Sequence, residues 1–554
     1  MMPSNGYASK KMHDQDHKVL RHATVVGVMT AISRVAGLVR ELIMAYYFGT
    51  SAAQSAFVVA FRLPNLFRRL FGEGALSNAF IPVFTETLVK EGKDAASTFA
   101  ARVMGLQSAV IGVLVILLMA ATWIAEPFFA TGSRWLIIFP LMRIMLPYAL
   151  LICQVAIVSA MLNTQQKFKI SSLTPVILNF VWIIALVACP LVGGDALRRI
   201  TFISYAILVA GLFQLAFQVP TLRSCGLRFG FVFSIKAWRS SPRIRDVLVM
   251  LAPTALGAGI DQINICVDGY LAYYAADWAP AAMEYADRIA YLPLGMFSTA
   301  FVTVLMPTYS RLAALEDYEG LKHTMERALR NLAVIVAPAM TVMFFMAPAL
   351  VELIYVWPNG AFNRESAHFT ALAVMAYAPG MFAFSFQKCL TPAFFAMKDT
   401  RTPVTISIVC IAMNFTLNVL SILFLPVGVR HVGLISSTVF CSFVNGVVAA
   451  HILRKRKNLP DYALFAPTVL KSLLGALVMA VCCIWVHNLF GAPTSKLMQL
   501  LALTATGVTG TVLYCGVMLC IAKTDFMDVL GSLGRRKRPG SVVSGAEIDK
   551  GGNF

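Results

Sequence analysis

AFRLPNLFRRLFGEG, residues 60–74, lies inside a long apolar run yet carries Arg62, Arg68, Arg69 and Glu73. A guanidinium at the centre of a bilayer costs roughly 2.5–3.5 kcal/mol even on a lenient insertion scale. Whether this stretch is a loop or a membrane helix that keeps its charges decides the fold, and the surrounding composition answers it. The chain has 554 residues, of which 58% are hydrophobic and only 13% charged. Soluble domains are usually about 45–50% apolar and about 25% charged. Apolar runs of about 20 residues recur throughout, which calls for helices rather than the shorter alternating strands of a barrel. The expectation is an all-α integral membrane protein.

Working outward, apolar runs separated by polar or Pro/Gly breaks predict fourteen transmembrane helices, at 23–48, 57–88, 99–121, 136–162, 172–193, 200–220, 247–274, 284–309, 331–355, 367–395, 403–426, 430–452, 467–488 and 498–522. The formal charge of +19 is sorted by side. Alternate loops collect cations, among them Lys90 and Lys93, Lys167 and Lys169, the basic stretch Arg223–Arg245, Lys398 and Arg401, and the RKRK run ending at Lys457. The intervening loops hold only scattered ones such as Arg134, Arg198 and Lys496. By the positive-inside rule both termini are cytoplasmic. The loop LRSCGLRFGFVFSIKAWRSSPRIR, residues 222–245, mixes cations with Phe and Trp. It reads equally as a segment on the anionic inner leaflet and as a plain basic connector. The HDQDH cluster (His13, Asp14, Asp16, His17) is read as part of a polar tail, and the eleven cysteines show no ligand spacing.

Short matches recur at nearly one spacing: AYYFG at Ala45 with AYYAA at Ala272, RLPN around Pro64 with YLPL around Pro293, AFIPVF around Pro82 with VLMPTY around Pro307, and SLTPVILNF around Pro175 with TRTPVTISI around Pro403, at offsets of 225 to 229. Six spans separate the copies, so the two halves share orientation and are related by a pseudo-two-fold axis along the membrane normal, an arrangement of transporters. The expected organisation is a cytoplasmic tail 1–22, an N-lobe 23–220, a basic inter-lobe loop 221–246, a C-lobe 247–455, two extra helices within 456–522 and a disordered cytoplasmic tail 523–554.

Placed on these helices, Arg34, Arg68 and Arg69 fall about 16–18 Å into the bilayer, and Arg40 about 25 Å along span 1. Arg34, Arg40, Arg62, Arg68, Arg69 and Arg288 outnumber Glu41, Glu73 and Asp287, so internal neutralisation fails. Snorkelling reaches from Arg62 and Arg40 but not from the middle of the core. The excess implies a wet cationic cavity between the lobes whose missing partner is an anion. Arginine cannot be deprotonated and forks onto phosphate oxygens, which suits a diphosphate, and within a membrane that diphosphate belongs to a lipid head group.

The blocks SRVAGLVRE, YYFG, AFRLPNLFRRLFGEGALSNAFIPVFTE, LNT with TPVILN, and YADR followed by LP resemble the lipid II flippase family, MurJ/MviN, within the multidrug/oligosaccharidyl-lipid/polysaccharide exporter superfamily. The resemblance implies transfer of the undecaprenyl-diphosphate-linked peptidoglycan precursor, lipid II, from the inner to the outer leaflet by alternating access, for cell-wall biogenesis and cell shape. It also implies that spans 13 and 14 form a groove for the polyprenyl tail. The family's cavity arginines fall on Arg34, Arg40, Arg68 and Arg288, with Glu41, Arg62, Asn65, Arg69, Glu73 and Asp287 as supporting groups. Many members carry an acid before AF in the loop joining spans 1 and 2, where this chain has Ser55. Some members bind a sodium ion in the second lobe. Asp268, Asn414 and Asn418 match its places here, with Asn418 standing where a second Asp occurs. No other cofactor is implied; membrane lipids and cell-wall synthesis proteins are the implied partners, and nucleic acid is not one.

Other readings fit less well. A drug exporter for cations calls for acidic cavities. A flippase for another polyprenyl-diphosphate-linked oligosaccharide, of O-antigen type, shares the same anchor and is not separated by the arginines. An enzyme needs acidic metal ligands or a nucleophile beside a base, and the sequence shows neither H-E-x-x-H nor a P-loop. Without an ATP-binding motif, transport has to draw on gradients of substrate or ions, or on the membrane potential.

Overall fold

The computed structural model describes residues 5–73, 75–491 and 495–534, and every regular element among them is helical. The first lobe comprises α1 (Asn5–Phe48), α2 (Ala52–Phe67), a π-helical turn (Arg68–Glu73), α3 (Ala75–Ala125), α4 (Trp135–Met145), α5 (Tyr148–Thr164), α6 (Phe168–Val192) and α7 (Ala196–Ser224). A connector with the short α8 (Ile235–Arg239) leads to the second lobe. That lobe holds α9 (Pro242–Ala275), α10 (Ala279–Ala314), α11 (Tyr318–Phe345), α12 (Ala347–Tyr355), α13 (Arg364–Ala396), α14 (Arg401–Phe424) and α15 (Arg430–Lys457). Then come α16 (Tyr462–Leu489), α17 (Lys496–Ile521) and α18 (Lys523–Gly534).

Among the described residues, ten helical stretches are long and apolar enough to cross a membrane. The other four predicted spans, 1, 2, 7 and 8, fall on α1, on α2 with the start of α3, on α9 and on α10. These are the helices that carry the intramembrane charges. Gly92 divides α3: its φ of +85°, open to glycine without strain, reverses the chain between predicted spans 2 and 3.

The internal repeat is visible in the packing. In the first lobe α6 lies on α1 and α7, while α5 lies on α3 and α7. In the second, α14 lies on α9 and α15, while α13 lies on α11 and α15. Each lobe closes around its own apolar core, built on residues such as Phe57, Tyr148 and Trp182 in the first and Tyr285, Tyr355 and Phe394 in the second. The added pair α16–α17 attaches to the second lobe through α11, where the Tyr514 hydroxyl donates to the Val334 carbonyl at 2.9 Å. At the basic end, Asp399 receives the Thr402 amide (3.0 Å) and hydroxyl (2.6 Å) and pairs with Arg456 at 2.7 Å. Those Thr402 bonds, with Arg456 beside them, hold the Asp399 carboxyl below the usual carboxylate range.

Two terminal expectations change. The backbone is helical from Asn5, continuous with span 1; the side chains of HDQDH and of Glu73 lie outside the described residues. The segment expected to be disordered from residue 523 begins instead with α18. Its Phe526 and Val529 are buried against α11, α16 and α17, and Asp525 accepts from Thr468 at 2.6 Å and pairs with Arg330 at 3.4 Å. Composition misled here because a short amphipathic helix of mixed residues gains its stability from a docking surface rather than from its own periodicity. Asp525→Ala should cost about 1–3 kcal/mol, since it leaves Arg330 without its carboxylate. A lower Tm in detergent and faster amide exchange confined to 523–534 would check it.

Candidate functional site

The arginine cluster is assembled by the first two helices of each lobe. On α1, Arg34 and Glu41 stand seven residues apart and therefore share a face, with Arg34 about 10 Å nearer the basic loops. Arg34 is exposed and makes no hydrogen bond or ion pair among the described residues. Arg40 is engaged within its own lobe, although its buried Nε has no partner among the described residues. It donates to Asn179 of α6 at 3.0 Å, pairs with Glu41 at 2.5 Å and lies over the Trp182 ring, 4.1 Å from its centroid. Asn179 in turn donates to the Ser33 carbonyl at 3.0 Å, which ties α6 to α1. Arg40 is thus held by the first lobe rather than presented freely.

Glu41 also faces Arg288 of α10 at 3.4 Å, and Arg288 pairs with Glu284 one turn back at 2.8 Å. This chain of four charges crosses from one lobe to the other. Arg288 points at the opposite lobe and is still 47% exposed, so the space between the lobes is open at this level. Asp287, its neighbour in sequence, points elsewhere: the Tyr377 hydroxyl of α13 donates to it, and its buried Oδ1 has no partner.

The π-helical turn sets the directions of the paired arginines. Pro64 leaves α2 without one backbone donor, and the Arg68 amide is shared between the Pro64 and Asn65 carbonyls. The wider turn that follows separates two adjacent guanidiniums. Arg68 turns back, its Nε donating to Asn65 Oδ1 at 2.9 Å, while Arg69 reaches α9 and donates to Gln262 at 3.0 Å. Arg62 also crosses, donating to the Ile265 carbonyl at 2.5 Å. It fits only because residue 269 is glycine; a Cβ there would stand 2.4 Å from its Nη1.

Away from the basic loops, the lobes meet through backbone. The Ala361 amide donates to the Tyr46 carbonyl at 2.7 Å, and Gly49, at φ +51°, lies where a Cβ would fall 2.5 Å from the Ala361 oxygen. Ser55 is fully buried and accepts from the Ala281 amide at 3.3 Å. A neutral hydroxyl here satisfies an otherwise orphaned donor of the α10 N-terminus, a position that equally suits a carboxylate.

In the second lobe, Asp268 sits within a polar cluster. It accepts from Asn418 (2.8 Å), Asn264 (3.3 Å) and Thr438 (3.5 Å), and Asn418 reaches Asn414 at 3.0 Å. Asp268, Asn414 and Asn418 lie together, with Asn264 and Thr438 beside them. The Asn418 Oδ1 is buried without a partner, and the Asn414 amide satisfies its neighbours better with oxygen and nitrogen exchanged. The set is one carboxylate with neutral oxygens, the chemistry of a hard cation. Among the described residues no group of three His, Cys, Asp or Glu is placed to hold a metal ion.

A separate apolar cavity of about 840 Å3 opens between α11, α13, α15 and α16, lined by residues such as Val336, Met340, Phe382, Val439, Phe443 and Leu473. Of the added pair only α16 lines it; α17 packs behind, with Gly510 against Cys483. Sequence reasoning missed Glu284, Asn179 and Trp182. Glu284 carried a signal, its i,i+4 spacing to Arg288; Asn179 and Trp182 carried none, being remote in sequence from Arg40. A double-mutant cycle of Glu41→Gln and Arg288→Gln, read by Tm, should return a coupling of about 0.5–3 kcal/mol, and additivity would sever the inter-lobe pair.

The family model that matches residues 44–503 is that of "Lipid II flippase MurJ". A probable lipid II flippase MurJ of Rhizobium tropici is 30% identical over 531 residues, 93% of this chain and 96% of its own length. Among solved structures, "Lipid II flippase MurJ, inward closed conformation" superposes with a TM-score of 0.70 at 24% identity, over 90% of this chain and 99% of that one. An inward-facing multidrug MATE transporter shares the fold more loosely, with a TM-score of 0.61 at 14% identity, over 79% and 98%.

Proposed function

We propose how this chain, which belongs to the lipid II flippase MurJ family, carries out the work of that family. It is a multi-pass membrane transporter, a lipid II flippase serving peptidoglycan synthesis, and the family assignment favours lipid II over an O-antigen-type substrate. The further reading is that the protein resides in the bacterial inner membrane with both termini in the cytoplasm. There it takes the lipid-linked diphosphate from the inner leaflet and releases it in the outer.

One observation carries the mechanism: Arg288 shares Glu41 with Arg40 across the lobes while remaining half open to the space between them. A substrate diphosphate offers the guanidinium a doubly charged, bidentate partner in place of a single carboxylate. Arg34, Arg68 and Arg288 are the ligands in this reading, and Arg40 holds Glu41 in place. Binding draws Arg288 away from Glu41, which weakens the pair joining the lobes as the substrate enters. The polyprenyl tail lies along the apolar cavity beside α16, outside the cationic space. Because the cavity is net positive, its alternate opening responds to the membrane potential at about 2.3 kcal/mol per charge per 100 mV.

The Asp268 cluster is assigned to a sodium ion held by Asp268, Asn414, Asn418 and Thr438. The ion would supply a fixed positive charge balanced by the single carboxylate. Its support is the unpartnered Asn418 oxygen beside the Asp268 carboxylate.

Replacing Arg34, Arg68 or Arg288 with Ala should abolish rescue of a flippase-depleted bacterium, and Lys should restore it only in part, because an ammonium cannot fork onto phosphate. Three active alanine variants at normal protein levels would remove the ligand assignment. Asp268→Asn should erase any rise in Tm produced by sodium over potassium, while a sodium-dependent Tm that persists in this variant would move the ion elsewhere.

A further inference from the structure

We propose that the connector between the lobes, residues 227–239, is a pinned interfacial anchor whose partner is the anionic phospholipid of the leaflet it faces. The inference rests on the orientation proposed above, in which this connector is cytoplasmic.

The connector is built rather than loose. Between the buried Leu227 and the start of α8 the chain forms no regular element, and at Ser234 it is extended, with φ −147° and ψ 113°. The Arg228 amide donates to Ser97 at 3.1 Å, and the Val232 amide donates to the Ala101 carbonyl of α3 at 3.0 Å. Trp238 folds back so that its Nε1 donates to the Val232 carbonyl at 2.9 Å, and Ser234 caps α8 by accepting from Ala237 at 3.3 Å. The close approach to α3 depends on Gly105: a Cβ there would fall 2.2 Å from the Val232 oxygen.

Alternate residues of an extended chain share a face. Phe229, Phe231, Phe233 and Ile235 therefore line up on one side. Their rings form a ladder, 5.2 Å between Phe229 and Phe231 and 5.9 Å between Phe231 and Phe233. Phe229 is tucked against the first lobe, but Phe231, Phe233 and Ile235 are 40%, 64% and 66% exposed. The backbone is tied to α3 at Arg228 and Val232, with Trp238 and Ser234 bracing it from within the connector. Their level explains the exposure. Ala101 lies about 13 Å along α3 from the turn at Gly92, and the exposed apolar residues Val110, Val113 and Leu117 begin a few turns further on. The ladder thus sits at the edge of the apolar band rather than out in bulk water.

Charge selects the lipid. From Cys225 to Arg245 the chain contains no acidic residue. Arg228 pairs with Asp94 at 3.3 Å, and Arg243 pairs with Glu91. Arg223, Lys236 and Arg239 are exposed and form no ion pair among the described residues. Aromatic side chains at the boundary with cations beside them are the pattern of a segment that inserts shallowly and binds phosphate-bearing head groups. Because the connector joins the lobes, such a contact holds the hinge between them at the membrane surface.

The test uses the full-length protein in nanodiscs of phosphatidylcholine with and without phosphatidylglycerol, read by amide exchange of 227–239. Wild-type exchange should slow when the anionic lipid is present. The variant R223Q/K236Q/R239Q should lose that difference, and F231S/F233S should exchange faster in both lipids while α3 stays protected. Equal wild-type exchange in the two lipids, or an unchanged difference in the glutamine variant, overturns the proposal. A Ser240→Cys variant exposed to a membrane-impermeant maleimide in intact cells separates the two readings. Labelling from outside overturns the orientation itself, whereas no labelling together with lipid-independent exchange overturns only the anchor.

Discussion

A guanidinium cannot surrender its proton to escape a low-dielectric setting, so each arginine inside the membrane demands water, an acid or a ligand. Most of the architecture around the inter-lobe space follows from meeting that demand. Arg40 is held by an amide, a carboxylate and an indole from its own lobe. Arg62 and Arg69 are satisfied by donating across to α9. Arg288 is satisfied only in part, by two carboxylates and by the open space beside it. The arginines are not equivalent, and the differences among them separate fixed structural groups from groups able to change partner.

Glu41 is the pivot of this arrangement. With its side chain only 8% exposed, a lone carboxylate there would be costly, and Arg40 stabilises it from its own helix. Its contact with Arg288 at 3.4 Å is the looser of the two and the one that spans the lobes. A transporter needs such an unequal pair: strong enough to hold the lobes together without substrate, weak enough for a more highly charged ligand to replace. The backbone contacts at Gly49 and Ser55 close the opposite end by shape and neutral hydrogen bonds. They do not compete with the substrate for arginine.

The two lobes repeat a packing pattern but have parted chemically. In the first, buried Gln107, Gln154, Gln214 and Gln218 bond to one another's neighbourhoods through amides, a neutral network between helices. In the second, the Asp268 carboxylate lies among asparagines. The cationic surface comes mainly from the first lobe, which also holds Glu41, while the second supplies Arg288 and Glu284.

Much of this was legible in the sequence because hydropathy and loop charge are local and additive: each apolar run reports on itself wherever its neighbours lie. The all-helical membrane fold and the presence of arginines within apolar runs follow from such local signals, the repeated halves from short sequence matches, and the family from the motifs that resemble it. Asp268, Asn414 and Asn418 were singled out only through the resemblance, and they lie within one polar cluster. What the sequence could not state was direction. Arg68 and Arg69 are adjacent, yet a π-helical turn sends one to its own helix and the other to the opposite lobe. Asp287 and Arg288 are adjacent, yet only the arginine faces Glu41. The acid that most closely pairs with Arg288, Glu284, and the indole beneath Arg40 belong to the same account. Charge pairing depends on vectors between helices far apart in the chain, and those vectors exist only once the helices have packed.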